Sequence, residues 1–393
     1  MFKEFLDLGR QPIANAFLKE EDFKDEFFFD LKVGLDTDTN LVSIKNFVEP
    51  ERIFNEDYPY NTSNSFPMIQ HFKDTAKMLY HDYNKPKKVL EIGSNSGPFI
   101  DNFSKVDSIC VEPCSNFAEV TEGMGYKTYI EFWTTELAKE IVSKDGYMDM
   151  IYAANCMCHI HDLDDAFNAV RELLSPSGIF VFEDPSLLRI LERGSYDQIY
   201  DEHPHVFSVI AINNLLRRNG LQIFRVDNLS VHGGSNRIYA CHMDSCMVGD
   251  SVRHNINEEM MFGLDQFETY QTFAERVKNS KETLVRSLSN LKRNGKEIMC
   301  IGATAKSTTV FNYCGIGPDL IDVITDTTKA KQGMFSPGVH IPVVPRDSIN
   351  LNDYDYAYLG AWNFKEVIAD KEREFVQNGG EFITHVPQVM RFS

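Results

Sequence analysis

Four short apolar runs of strand length stand in the middle of the chain, Lys88–Ile92, Ser108–Glu112, Met148–Tyr152 and Ile179–Glu183. Amphipathic stretches such as Asp164–Leu174 lie between them, and this alternation predicts a parallel, doubly wound α/β sheet. A second set of strand-like runs follows at Glu297–Ile301, Ile321–Thr325, Tyr356–Leu359 and Phe382–His385, with a helix expected over Phe364–Gln377. Between the two sets, Asp265–Leu291 places Phe267, Tyr270, Phe273, Val277, Leu284, Leu288 and Leu291 near a 3.6-residue spacing, and Asn294-Gly295 supplies a stop. That pattern predicts one long connecting helix. Residues 1–75 read differently. They are aromatic and loop-rich, with short alternating runs at Phe27–Val33 and Leu41–Ile44 that predict a small, mostly β or irregular lobe. The expected division is 1–75, 76–290 and 291–393.

Length and composition agree with several packed units. The 393 residues exceed one ordinary core, and 43% are hydrophobic. A net charge of −19 argues against a polyanionic duplex as partner. The eight cysteines show no paired CxxC spacing and read as reduced thiols. No stretch has the length and apolarity of a membrane span, and the expected location is the cytoplasm.

The most informative segment is Val89-Leu-Glu-Ile-Gly-Ser-Asn-Ser-Gly-Pro-Phe99. A strand runs into Glu91-x-Gly93-x-x-x-Gly97, and Pro98 suits the first turn of a following helix. Glycines here allow a sharp turn and close ligand approach. Glu112, one β-α-β unit on, is placed to accept from the ribose hydroxyls of an adenosine cofactor. A dinucleotide site would normally show G-x-G-x-x-G, but Asn95 replaces the second glycine. The acidic Glu91 suits a cationic ligand better than a pyrophosphate. Glu91, Gly93, Asn95, Gly97, Glu112 and Asn155 are therefore the expected contacts for S-adenosylmethionine.

Methyl transfer to carbon needs an enolate equivalent, hence a base for a carbon-bound proton and donors for the developing oxyanion. Asn155-Cys-Met-Cys-His159 follows one sheet strand, and Tyr200-Asp-Glu202-His203 follows the next. A tyrosine, a carboxylate and a histidine within four residues suit general-base work. His161 and His205 read as surface or capping residues. Val231-His232-Gly233-Gly234-Ser-Asn-Arg237 is either an anion-binding turn or a plain β-turn. Gly302-Ala-Thr-Ala-Lys306 lacks Walker A spacing but can present a helix N-terminus to a diphosphate. Lys331 adds a donor.

Taken together these segments resemble the nucleotide-sugar C-methyltransferases of branched deoxysugar pathways. The resemblance runs through Phe5-Leu-Asp-Leu-Gly-Arg-Gln-Pro12, Tyr58-Pro-Tyr60, Glu91-Ile-Gly93, Cys158-His159-Ile160, Tyr196-Asp-Gln-Ile-Tyr-Asp-Glu-His203, Val231-His-Gly-Gly234, Gly302-Ala-Thr-Ala-Lys306 and Pro337-Gly-Val-His-Ile-Pro342. It implies a central Rossmann-like class I methyltransferase domain, a small N-terminal lobe and a second, smaller C-terminal α/β domain that helps hold the sugar nucleotide. It further implies methylation of a dTDP- or GDP-linked 4-keto-6-deoxy sugar, at C3. His203 would be the base, and Tyr58, His159, Tyr200 and Glu202 would line the reaction centre. Tyr60, His232, Gly233, Arg237, Lys306 and Lys331 are the expected substrate contacts. Relatives carry a zinc lobe with two cysteine pairs. Here Asp36 and Thr39 stand where the second pair would fall, so no metal is expected. The alternatives are an O- or N-methyltransferase of a small metabolite, or a non-catalytic sugar-nucleotide-binding protein.

Overall fold

A computed structural model describes residues 1–393. The first sheet joins β1 (Phe2–Pro12), β2 (Phe28–Asp36) and β3 (Leu41–Ile44), antiparallel throughout, with the short β9 (His205–Val206) at its edge. Alternation turns Leu6, Leu8, Leu31, Val33 and Leu35 inward. β9 belongs to the chain's middle third, so the N-terminal sheet is closed by the segment that follows His203.

The central sheet contains β4 (Val89–Ile92), β5 (Ser108–Val111), β6 (Lys127–Tyr129), β7 (Met148–Ala154), β8 (Leu174–Pro185), β10 (Leu221–Leu229) and β11 (Ser235–His242). Their order is β10-β11-β8-β7-β4-β5-β6, parallel from β6 to β8 and antiparallel at β11 and β10. Strand order reverses at β4, between β5 and β7. In an open α/β sheet that switch point opens a crevice beyond the strands' carboxyl ends. The third sheet contains β12 (Ile298–Ile301), β13 (Ile324–Asp326), β14 (Val343–Pro345), β15 (Tyr356–Leu359), β16 (Glu381–Thr384) and β17 (Met390–Phe392). Its order, β14-β13-β12-β15-β16-β17, has its own switch point at β12.

The expected long helix spans Phe267–Arg293, and Tyr270, Phe273, Val277, Leu284 and Leu288 form its buried stripe. Those residues join Leu8, Leu31 and Val33 of the first sheet to Ile298, Ile324 and Ile383 of the third in one core. The N-terminal and C-terminal units therefore pack on each other.

Four elements differ from expectation. The helix expected to start at Pro98 is only a single 3-10 turn, Ile100–Asn102. Helix Phe66–Asp82, unassigned in the sequence, crosses the 75/76 boundary and buries Met68, Phe72, Ala76 and Leu79 on the central sheet. The expected Phe364–Gln377 helix is two pieces, Lys365–Lys371 and Arg373–Gln377. Between them Glu372 is bound by the Arg346 guanidinium. Helix Asp250–Phe262 has no apolar stripe to announce it. Its buried positions are Val252, Asn255 and Glu259. No helix is long and apolar enough to cross a membrane.

Candidate active site

The two switch points face one cavity of about 570 Å³. Gly93, Glu112 and Asn155, beyond β4, β5 and β7, line one side. Thr304, Lys306, Lys331, Ala361 and Asn363, beyond β12, β13 and β15, line the other.

On the first side, Gly93 sits at φ +67°, and a Cβ there would stand 2.7 Å from Cys156 Sγ, so the turn accepts only glycine without rearrangement. The Asn95 N–H donates to Glu112 Oε2 at 2.7 Å, and the Cys114 N–H donates to Oε1 at 2.9 Å. Burial raises the Glu112 carboxyl, and these two bonds oppose the rise. Asn95 also bonds the Thr62 N–H and the Tyr60 carbonyl, tying the approach to helix Phe66–Asp82 to the turn. Phe132 and Trp133 add an apolar wall not anticipated from sequence.

Glu91 and Gly97 do not line the cavity. Glu91 is buried beneath the turn, where Oε2 accepts the Ile100 N–H at 3.0 Å. Burial pushes its carboxyl well up, so it holds the loop from below instead of presenting a free anion. Gly97, at φ +77°, leaves room for Thr121, whose Cγ2 would lie 3.1 Å from a Cβ.

The same cavity gathers Tyr58, His159, Tyr200, Glu202 and His203. His203 Nδ1 lies 2.7 Å from the Gln198 carbonyl, and Nε2 lies 3.1 Å from Tyr200 Oη. A carbonyl only accepts, so Nδ1 carries the proton and Nε2 keeps its lone pair. Burial, then the neighbouring His159, holds the His203 imidazole well below its usual value, in the neutral form. The His159 ring stacks on His203 at 5.1 Å and on Phe54 at 5.3 Å. Its Nε2 has no partner, and burial lowers its pKa to about 3. Glu202 accepts from Tyr58 Oη at 2.9 Å and from Asn15 Nδ2 at 2.5 Å. Burial raises the Glu202 carboxyl, opposed by those two bonds and by the charges of Lys331 and Lys306.

Tyr60, His232, Lys306 and Lys331 also line the cavity. Lys331 Nζ donates to the Ala303 carbonyl at 2.8 Å and reaches Asn15 Oδ1 at 3.4 Å. Lys306 lies in the first turn of helix Ala305–Cys314, capped by Thr304 and Ser307. Burial lowers both lysines, while Asp197 and Glu202 oppose this at Lys306 and Asp326 and Glu202 oppose it at Lys331. Gly233 and Arg237, expected as substrate contacts, do not line the cavity. The missing Cβ of Gly233 makes room for the Trp362 ring, which would stand 2.7 Å from a Cβ placed there. The Arg237 guanidinium bonds Glu183 at 2.7 Å and Thr75 at 2.6 Å, away from the cavity. His161 lines the cavity, whereas its sequence context suggests a surface or capping residue. Asn15 was missed. It lies 187 positions from Glu202, and nothing local marks it.

Residues 68–226 match a family model described as a methyltransferase domain, and 230–387 match one described as a C-methyltransferase C-terminal domain. Residues 1–54 match a putative zinc binding domain. That stretch contains no cysteine or histidine, so its side chains do not fit a zinc ion. The C-methyltransferase NovU of Streptomyces niveus is 31% identical over 394 positions, covering 98% of this chain and 93% of NovU. Among solved structures, a magnesium protoporphyrin IX methyltransferase from Synechocystis PCC 6803 is 13% identical, with TM-score 0.35 over 45% of this chain and 88% of its own. An S-adenosylmethionine-dependent methyltransferase from Thermotoga maritima is 18% identical, with TM-score 0.35 over 44% and 88%. The near end-to-end likeness to NovU, together with the two methyltransferase matches, places the chain in the S-adenosylmethionine-dependent C-methyltransferase family.

Proposed function

We propose that the enzyme methylates C3 of a nucleotide-linked 4-keto-6-deoxy sugar, with His203 removing the C3 proton. The observation that carries this reading is the neutral imidazole of His203, its Nδ1–H fixed on the Gln198 carbonyl and its Nε2 the accepting nitrogen, engaged only by the Tyr200 hydroxyl, inside a cavity that also presents Lys306 and Lys331. A C-methylation needs such a base. A diphosphate needs such cations.

Gly93, Asn95, Glu112 and Asn155 would hold S-adenosylmethionine, with Glu112 accepting from ribose hydroxyls and Phe132 and Trp133 walling an apolar face. When bound, that cofactor supplies an electrophilic methyl group. The protein's own part is proton handling. Tyr200 Oη bonds to Nε2 and must release it before the C3 proton is taken. The freed hydroxyl can then donate to the 4-oxygen as enolate charge develops, and His159 Nε2 is a second group without a partner there. Glu202, next to His203 in the chain, is held in place by Asn15 and Tyr58. Lys306 and Lys331 would meet the diphosphate at the helix N-terminus.

Incubation with S-adenosylmethionine and dTDP- and GDP-linked 4-keto sugars is expected to give a product heavier by one CH₂. In D₂O with a cofactor analogue lacking a transferable methyl, the C3 proton is expected to wash out. His203→Asn should abolish both while cofactor binding persists. An O- or N-methyltransferase would methylate without wash-out, and that result would replace this reading.

A further inference from the structure

His203 sits on an irregular segment, and an imidazole on a loop is not held to catalytic tolerance unless something outside the loop fixes it. The one hydrogen bond from its ring to backbone goes to the Gln198 carbonyl, at the end of the single turn Tyr196–Gln198. The middle residue of that turn is Asp197, which is 0% exposed. Its Oδ2 accepts the indole N–H of Trp362 at 2.5 Å, and Oδ1 has no partner. His385 Nε2 lies 3.6 Å from the same carboxylate, and His385 Nδ1 is bonded to Tyr358 Oη at 2.8 Å.

All three residues belong to the C-terminal unit built on the third sheet. Tyr358 is in β15, Trp362 is in the turn after it, and His385 follows β16. The same indole covers Gly233, where the space left by the absent Cβ is bounded by Trp362 and by Gln198 Nε2 at 3.7 Å. Ala361 and Asn363, on either side of Trp362, line the cavity. A buried carboxylate with one unfilled oxygen is costly, so packing alone gives no reason for an aspartate here.

We propose that Asp197 and Trp362 form a latch by which the C-terminal domain positions His203, through the Gln198 carbonyl, so that this domain sets the base as well as holding the nucleotide. The proposal rests on the reading of His203 as base. Asp197 and Trp362 are positioning residues, because they act through Gln198. Gly233 is glycine because the indole must close over it.

Trp362→Phe keeps a ring over Gly233 and removes the donor. Its kcat is expected to fall about tenfold or more, in keeping with the cost of a misplaced catalytic group. KM for the keto sugar and cofactor affinity should stay within about twofold. The C3 proton should wash into D₂O more slowly by the same factor as kcat. In a protein labelled with ¹⁵N-histidine, with His203 assigned through His203→Asn, the wild-type ring should show a protonated Nδ1. Trp362→Phe should shift it toward a mixture of tautomers. Asp197→Ala should behave like Trp362→Phe, and Asp197→Asn, which keeps an acceptor for the indole, should recover most of the loss. Unchanged kcat and tautomer in both Trp362→Phe and Asp197→Ala would overturn the latch. So would a raised KM with intact kcat, which would make Trp362 a substrate contact. If the wild-type enzyme methylates no keto sugar, the functional reading fails instead, and the tautomer comparison alone decides the latch.

Discussion

The chemistry of the site turns on which protonation states burial enforces on a few side chains. Burial holds His203 well below the ordinary histidine range, and takes His159 to about 3 and His232 to about 4. A base with a depressed value stays competent as pH falls through about 6.5, where an ordinary imidazole would be half protonated. The sign is therefore fixed: kcat/KM should stay flat from pH 8 through 6.5 and decline only at lower pH. A pH–rate profile on the methyl-transfer step measures this, and an acid limb centred near 6.5 would mean that the acting base is not His203 in this environment. At this scale the sequence announced Glu112, His159, Glu202 and His203, because turn glycines and clustered titratable groups are local signals. Asn15 was silent. Its role is created by the fold, which lays the segment after β1 against Glu202.

Elements show where local pattern stops being informative. β4, β5, β7 and β8 bury nearly every side chain and so stand out as apolar runs, and helix Phe267–Arg293 keeps a clean stripe. Helix Asp250–Phe262 escaped because its inner face is polar. Glu259 accepts the N–H groups of Val209 and Ile210 at 2.8 and 2.9 Å, serving the N-terminus of helix Val209–Arg218 from another element. Arg237 misled for the opposite reason. Beside His-Gly-Gly it read as an anion donor, yet β11 places it against Glu183 of β8, whose carboxylate also takes Tyr152 Oη and His71 Nε2. This network pins helix Phe66–Asp82 to the sheet through His71 and Thr75. Arg237→Met leaves Glu183 buried with less compensation and should cost about 3–5 kcal/mol of stability. Denaturant titration measures it, with KM for the sugar nucleotide unchanged in the folded fraction. A raised KM without loss of stability would return Arg237 to the substrate site.

Across the whole molecule, the two switch points meet at one cavity because the first sheet and the long helix lock the outer units together. The cations that face this space matter more than the average charge. A net −19 would repel a diphosphate at a distance, so the proposed substrate would depend on local positive groups. Lys306 and Lys331 are such groups, and burial lowers both, with nearby carboxylates only opposing the shift. A lysine whose pKa is depressed on folding costs stability when it is protonated at pH 7, because the charged form is disfavoured in the folded state. Replacing Lys306 by glutamine should therefore leave the melting temperature unchanged or raised. The same change should raise KM for a diphosphate-linked sugar by about tenfold or more, the size expected for losing a charge-assisted contact. Cofactor affinity, read by calorimetry, should stay constant because Lys306 stands on the opposite wall from Glu112. Lost affinity with equal or better stability is what a residue kept for ligand binding shows. A lower melting temperature with unchanged KM would make Lys306 a packing residue and move the diphosphate elsewhere.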